Sequence, residues 1–143
     1  MNKLELIKTA EQIHNADQIA IDEYNEKTET ILACLNSQMI DLPDLDKIIG
    51  PNNITMMKNN HQNHLDFILS IMKNFDATVL VETIIWVFRA YQNHGFSPEY
   101  WNYQLKAWKE VIQNNLSEHS YKEISPIYNW MYANIANFTV LSK

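Results

Sequence analysis

The sequence predicts an all-α protein, and three observations support that prediction. The chain of 143 residues has only two glycines and four prolines, which leaves little room for the turns of a β-rich fold. It is 46% hydrophobic and 20% charged, a balance that disordered chains do not have. Apolar residues also recur at spacings of three and four, as they do on one face of a helix. A chain of this length is expected to form one domain, residues 1–143, with a sizeable core.

Residues 1–38 contain neither proline nor glycine, and their pattern predicts helix almost throughout. A single rod of that length would extend about 55 Å, beyond the roughly 30 Å diameter of a small domain. We therefore expect this N-terminal helical region to break, near Asn15–Asp17, or to project from the body. A projecting amphipathic helix favours a homodimer through the N-terminal and C-terminal helices, whereas a bent one packs wholly on its own core. The sequence leaves both possibilities open.

The middle of the chain predicts three helices. A short one over Pro43–Ile49 ends at Gly50, and a longer one runs from about Asn53 to Asn74. The inner side of the longer helix carries Ile54, Met57, His61, His64 or Leu65, Ile68 and Met72. The third helix, Asp76 to about Gln92, begins with Asp76 as N-cap and is apolar around most of its circumference, which is typical of a buried helix.

The C-terminal part begins with a tight turn. Gly95 is expected to end the apolar helix, and Ser97-Pro98-Glu99 has the residues that favour a new helix start. Trp101, Leu105, Trp108 and Ile112 then share one helical face. Two starts remain open for the last helix: a capping box at Ser120 and Glu123, or the Ser125-Pro126 pair, with a kink at Pro126 reconciling them.

Composition and motifs exclude several functions. The net charge of −6 and the absence of a Lys/Arg cluster argue against a nucleic-acid partner. No run approaches the ~18 apolar residues of a membrane span, no signal peptide is expected, and the single cysteine, Cys34, suits a reducing cytoplasm. Cys34 lies in an apolar run, so we expect a buried, inert thiol. No nucleophile motif is present, and His61 with His64, or Glu11 with His14, lacks the further ligands of a metal site, so we expect neither an enzyme nor a metalloprotein.

The stretch from Gly95 to Tyr100, with the two helices that follow it, resembles the F–G–H region of globins, and residues 51–140 resemble globin helices E–H. Globins hold haem iron with a histidine on the helix before this turn. The corresponding position here is Tyr91, and His94 is expected to point away from a haem. The chain therefore resembles the haemless sensor globins, which include stand-alone sporulation-inhibitory proteins of bacilli and the N-terminal sensor domains of stressosome proteins.

The resemblance implies a cytoplasmic sensor without haem, which binds a fatty acid in an internal tunnel and responds to chloride. It also implies inhibition of sporulation by withholding the signal from a sensor histidine kinase. A haem-sized void of several hundred Å³ would cost on the order of 10 kcal/mol if empty, so side chains or an apolar ligand must occupy it.

The candidate ligand-binding residues are His61, His64, Ile68, Phe88, Arg89 and Tyr91. Arg89, the only arginine, either pairs with a ligand carboxylate or simply emerges at the helix surface. The alternative functions are a ligand-free interaction module and a haem-binding gas sensor.

Overall fold

The computed structural model describes all residues, Met1–Lys143, and is entirely helical, which confirms the predicted fold class. Its helices are α1 (Lys3–Ala10), α2 (Gln18–Glu26), α3 (Thr28–Ile40), α4 (Leu45–Ile49), α5 (Ile54–Lys73), α6 (Ala77–Asn93), α7 (Tyr100–Asn115), α8 (Glu118–Ala133) and α9 (Ile135–Leu141). Forty buried apolar residues form one continuous core. None of the helices has both the length and the apolar character that a membrane span needs.

The N-terminal region bends onto the body. It breaks between α1 and α2, as predicted, and Asp17 caps α2 by accepting the N–H of Ala20 at 2.9 Å. A second break at Lys27, which the sequence did not indicate, separates α2 from α3. α1 packs on α6, α2 on α8 and α5, and α3 on α7 and α5. The projecting rod is therefore wrong, and the bent, packed helix is correct, because Leu6, Tyr24 and Leu35 each reach the core.

The last helical region begins earlier than either predicted start. Ser117 caps α8: its hydroxyl accepts the N–H of Ser120 at 3.2 Å and donates to Glu23 of α2 at 2.8 Å. Pro126 lies inside α8, and Asn134 then separates α8 from α9. The sequence pattern missed Ser117 because the partner that fixes it comes from α2, more than ninety residues away.

The two ends of α6 follow the prediction. Asp76 caps the start, and Gly95 ends the helix with a φ of 97°. The N–H of Gly95 donates to the Gln92 carbonyl and the N–H of Phe96 to the Tyr91 carbonyl, both at 3.1 Å. The rings of Phe96 and Tyr91 lie 5.1 Å apart. These bonds and this apolar contact make a Schellman motif, which requires a left-handed residue where glycine is best tolerated.

Two expectations about burial are wrong. Trp86 of α6 is 65% exposed, because α5 and α6 have no extensive direct contact and one face of α6 is left uncovered. Cys34 is also exposed, since Ile31 and Leu35 occupy the inner face of α3 and turn position 34 outward. Some residues of an apolar run in the sequence are therefore exposed in the folded protein.

The turns before α5 and after α6 are fastened together. The Asn53 amide donates to the carbonyl of Ile49 at 2.7 Å and to that of His94 at 2.9 Å. The N–H of Ser97 donates to the Ile48 carbonyl at 2.8 Å. Gly50 lies in this junction with a φ of 84°, where an added Cβ would lie 3.2 Å from the Gly95 carbonyl oxygen. The junction fixes the distance between the first turn of α5 and the last turn of α6.

Gly50→Ala is expected to lower the free energy of unfolding more than Gly95→Ala. Both substitutions place a side chain at a positive φ, which is favourable only for glycine. Only Gly50 adds close contacts, with the Asn53 amide at 3.1 Å and the Gly95 carbonyl at 3.2 Å, whereas the nearest atom at Gly95 is 3.9 Å away. Urea denaturation of the two variants measures the difference. Equal losses would contradict the close packing at this junction.

Candidate functional site

A cleft of about 530 Å³ lies between α5 and α6. Its volume falls within the roughly 300–1,000 Å³ of small-molecule sites. Twelve of its eighteen lining residues are hydrophobic, and the lining contains no aspartate, glutamate, lysine or arginine. The cleft exists because these two consecutive helices diverge, each packed against other helices instead.

α5 forms the polar side of the cleft. It contributes Met56, Asn60, Asn63, His64 and Phe67. Asn60 is 3% exposed, while Asn63 is exposed along the opening. Three of these five residues have hydrogen-bonding side chains at spacings that place them on one side of the helix.

α6 forms the apolar side, and the later helices form the floor. α6 contributes Thr83, Ile84, Trp86, Val87, Phe88, Ala90 and Tyr91, and the floor consists of Trp101, Gln104, Leu105, Met131 and Phe138. Phe88 stacks on Trp101 at a centroid distance of 4.2 Å, nearly parallel, and its ring lies 5.5 Å from that of Phe138. These stacked rings give the cleft a rigid base.

His61 lies behind the cleft, in a buried polar network. It is fully buried, and its Nδ1 donates to Asn36 of α3 at 2.6 Å. Its Nε2 lies 3.1 Å from the hydroxyl of Tyr100, which is 2.7 Å from Asn60 Oδ1. Gln104 also donates to Asn60 Oδ1, at 3.0 Å. Burial lowers the pKa of His61 to about 3, so this imidazole is neutral at physiological pH.

His64 belongs to both the cleft and a second buried network. Its Nε2 lies 2.9 Å from the Tyr128 hydroxyl, which is 3.0 Å from the Tyr24 hydroxyl. Its ring stacks on Trp108 at 4.5 Å. Burial, and secondarily the nearby His61, lower the pKa of His64 to about 3. The two histidines therefore act as neutral hydrogen-bonding groups.

Tyr91 lines the cleft opposite these amides. Burial raises the pKa of its hydroxyl, while the nearby side-chain amides of Asn60 and Asn63 lower that pKa. The structure thus brings together the side chains of Asn60, Asn63, His64, Tyr91 and Gln104 around one part of the cleft. We call these five residues the polar wall.

Three of the six candidate residues, His64, Phe88 and Tyr91, line the cleft, and three do not. His61 and Ile68 are fully buried behind it. Arg89 is exposed and points to α9, where its Nε donates to the Ser142 carbonyl at 3.2 Å. The sequence left two possibilities for Arg89, pairing with a ligand carboxylate or emergence at the helix surface, and the structure shows the second. The amides of Asn60, Asn63 and Gln104 were missed, because neutral amides carry no sequence signal of their own.

His94, which was expected to point away from a haem, is among the residues that line the cleft. It lines the cleft at the end of α6, and its Nδ1 donates to the Ala90 carbonyl at 2.8 Å. That bond leaves Nε2 as the free nitrogen, in the arrangement that metal-ligating histidines commonly adopt.

No cluster of three or more histidine, cysteine, aspartate or glutamate side chains is arranged to hold a metal ion. Comparison of the chain with protein-family models, with curated proteins and with solved structures gives no match. The cleft is therefore the feature of this protein that bears on its function.

Because His61 and His64 are buried and neutral, we expect the free energy of unfolding to decline in mild acid. The unfolded chain binds protons below a pKa of about 6.5, but folded His61 and His64 do so only near 3, so the free energy of unfolding falls as the pH falls through this range. At pH 5 the loss is about 2 kcal/mol for His61 and less for the partly exposed His64.

His61→Gln should be less stable at pH 7 and should flatten this pH dependence, while the exposed His94→Gln should retain it. Urea denaturation between pH 7 and pH 5 measures both. An unchanged pH dependence in His61→Gln would show that the buried imidazole is not its source.

Proposed function

We propose that this protein is a ligand-binding sensor whose α5–α6 cleft takes a single-chain amphiphile of the fatty-acid class. The observation that supports the proposal is the composition of the cleft: apolar walls around most of about 530 Å³, with hydrogen-bonding groups concentrated on one part. Ligand sites generally combine a mostly apolar lining with a few placed polar groups. Each buried methylene of an alkyl chain contributes about 0.8 kcal/mol, so a medium-length chain gives useful affinity.

The proposal also accounts for an uncovered apolar surface. Trp86 is 65% exposed at the edge of the cleft, and Phe67 and Val87 line it from opposite helices. Contiguous apolar surface of this kind generally marks a binding site. An alkyl chain between α5 and α6 would cover it.

Ala90→Trp is the variant that tests occupation of the cleft. Ala90 lines the cleft from α6, so an indole there would fill the space and should reduce amphiphile affinity more than tenfold. Ala33→Trp, at an exposed position of α3, is the matched control and should bind normally. Fluorescence titration of delipidated protein with decanol measures both variants.

Ligand at a hundredfold excess over its Kd should stabilise the unsubstituted protein by ~2.7 kcal/mol, and so raise its Tm. No binding by the unsubstituted protein would favour the ligand-free interaction module. Equal binding by Ala90→Trp would place the ligand elsewhere.

The regulatory part of the proposal comes from the resemblance to haemless sensor globins. In this part of the proposal, the protein is a cytoplasmic homodimer that responds to chloride. It inhibits sporulation by withholding a signal from a sensor histidine kinase. Leu4 of α1 and Val140 of α9 are 69% and 64% exposed, which supports an association through the terminal helices. Light scattering at high micromolar concentration tests the homodimer.

The position of His94 favours haem binding as a second candidate. It lines the cleft with its Nδ1 engaged by the Ala90 carbonyl and its Nε2 free, and His64 lines the cleft from α5. Haem would supply an iron that binds a diatomic gas. The site has apolar walls suited to a porphyrin, but Tyr91 occupies the position that the resemblance gives to the iron ligand.

Protein produced with haem available is expected to be colourless, since the amphiphile is the proposed occupant. An absorption spectrum decides between the candidates. A Soret band at near-equal stoichiometry would establish haem instead, provided that His94→Ala abolishes the band and the exposed His119→Ala keeps it.

A further inference from the structure

The polar wall has hydrogen-bonding atoms that the protein itself does not use. Asn60 Oδ1 accepts from Tyr100 and Gln104, but the Asn60 amide nitrogen and the Gln104 carbonyl oxygen have no partner in the chain. Both atoms are accessible to solvent, and because Asn60 and Gln104 line the cleft, the two atoms face its open space. His64 likewise engages Nε2 with Tyr128 and leaves Nδ1 free.

These unused atoms are of both kinds. The Asn60 nitrogen is a donor, the Gln104 oxygen is an acceptor, and the exposed Asn63 amide offers one of each. A carboxylate only accepts hydrogen bonds, so it would meet the Gln104 oxygen without an attractive contact. A hydroxyl or a protonated carboxyl group donates and accepts, and matches both kinds of atom.

The charges of the cleft lining also argue against a carboxylate ligand. All eighteen lining residues are neutral side chains or histidines, and Arg89 is engaged with carbonyls at the end of α9. A buried carboxylate without a cation or a full set of donors is strongly disfavoured, and it generally takes up a proton instead. The depressed pKa of His64 keeps that imidazole from supplying the missing positive charge, and the other lining histidine, His94, lies outside the polar wall with its Nδ1 on the Ala90 carbonyl.

We infer that the ligand's polar end lies against the polar wall as an uncharged oxygen function that both donates and accepts hydrogen bonds, an alcohol or a protonated carboxylic acid. The inference rests on the proposed function and specifies the chemistry of its ligand. It replaces the possibility, raised by the sequence, that a ligand carboxylate pairs with Arg89, because Arg89 does not line the cleft. A free fatty acid binds, but through its minor, protonated form.

Decanol and decanoic acid have the same chain length and distinguish the two charge states. The full chain, delipidated, is titrated with each compound, and binding is followed by the fluorescence of Trp86 and Trp101, which line the cleft. At pH 8, decanol should bind at least tenfold more tightly than decanoic acid. If only the protonated acid binds, its apparent Kd should rise about tenfold per pH unit between about pH 6.5 and 8.5, while that of decanol stays constant.

Asn63→Leu tests the polar wall directly. Asn63 is an exposed residue of α5, so the variant should fold, and it should bind decanol about fivefold more weakly. Asn59→Leu is the matched control, since Asn59 is exposed on the same helix and lies outside the cleft. The control should bind decanol as the unsubstituted protein does.

Each result has a defined meaning. Decanoic acid that binds as tightly as decanol at pH 8, with a Kd independent of pH, would overturn the uncharged end while leaving the amphiphile site intact. Asn63→Leu and Asn59→Leu with equal affinity for decanol would also overturn it. Failure of both compounds to change the fluorescence or the Tm of the unsubstituted protein would overturn the proposed function itself.

Discussion

The structure depends on the way in which the polar side chains of α5 are buried. Asn60 and His61 are almost completely enclosed, and buried polar groups must find hydrogen-bond partners. Their partners come from α3 and α7, in Asn36, Tyr100 and Gln104. α5 is thereby held against those helices, and it does not close onto α6. The cleft is the space that this choice of partners leaves open.

The same networks connect the cleft to distant parts of the fold. From His64, hydrogen bonds pass through the Tyr128 hydroxyl of α8 to the Tyr24 hydroxyl of α2. Burial raises the pKa of both tyrosines, so they are neutral hydrogen-bonding groups like the histidine. The hydrogen bonds that begin at His64 therefore end at Tyr24, a fully buried residue of α2 in the N-terminal region.

Much of the fold could be predicted from local sequence. The ends of α6 were predictable because Asp76 and Gly95 act through bonds to their own neighbourhood, within four or five residues. The start of α8 was not, since Ser117 is fixed by Glu23 of α2. Trp86 and Cys34 were misjudged for a related reason: whether an apolar position is buried depends on which other helix arrives to cover it.

The site divides in the same way. Phe88, His64 and Tyr91 were predictable from helical spacing and from the resemblance to globins, and all three line the cleft. The direction of Arg89 toward α9 depends on carbonyl partners at the end of the chain that a sequence pattern does not reveal. The amides of the polar wall escaped notice because asparagine and glutamine are ordinary surface residues unless the fold encloses them.

The central claim is that α5 and α6 enclose an amphiphile. Nuclear Overhauser contacts between unlabelled decanol and the isotope-labelled, delipidated protein test it most directly. The account predicts contacts from the alkyl chain to Met56, Phe67 and Val87, and from the carbinol end to the Asn63 amide. Contacts confined to residues outside the cleft, or none at saturating ligand, would contradict it.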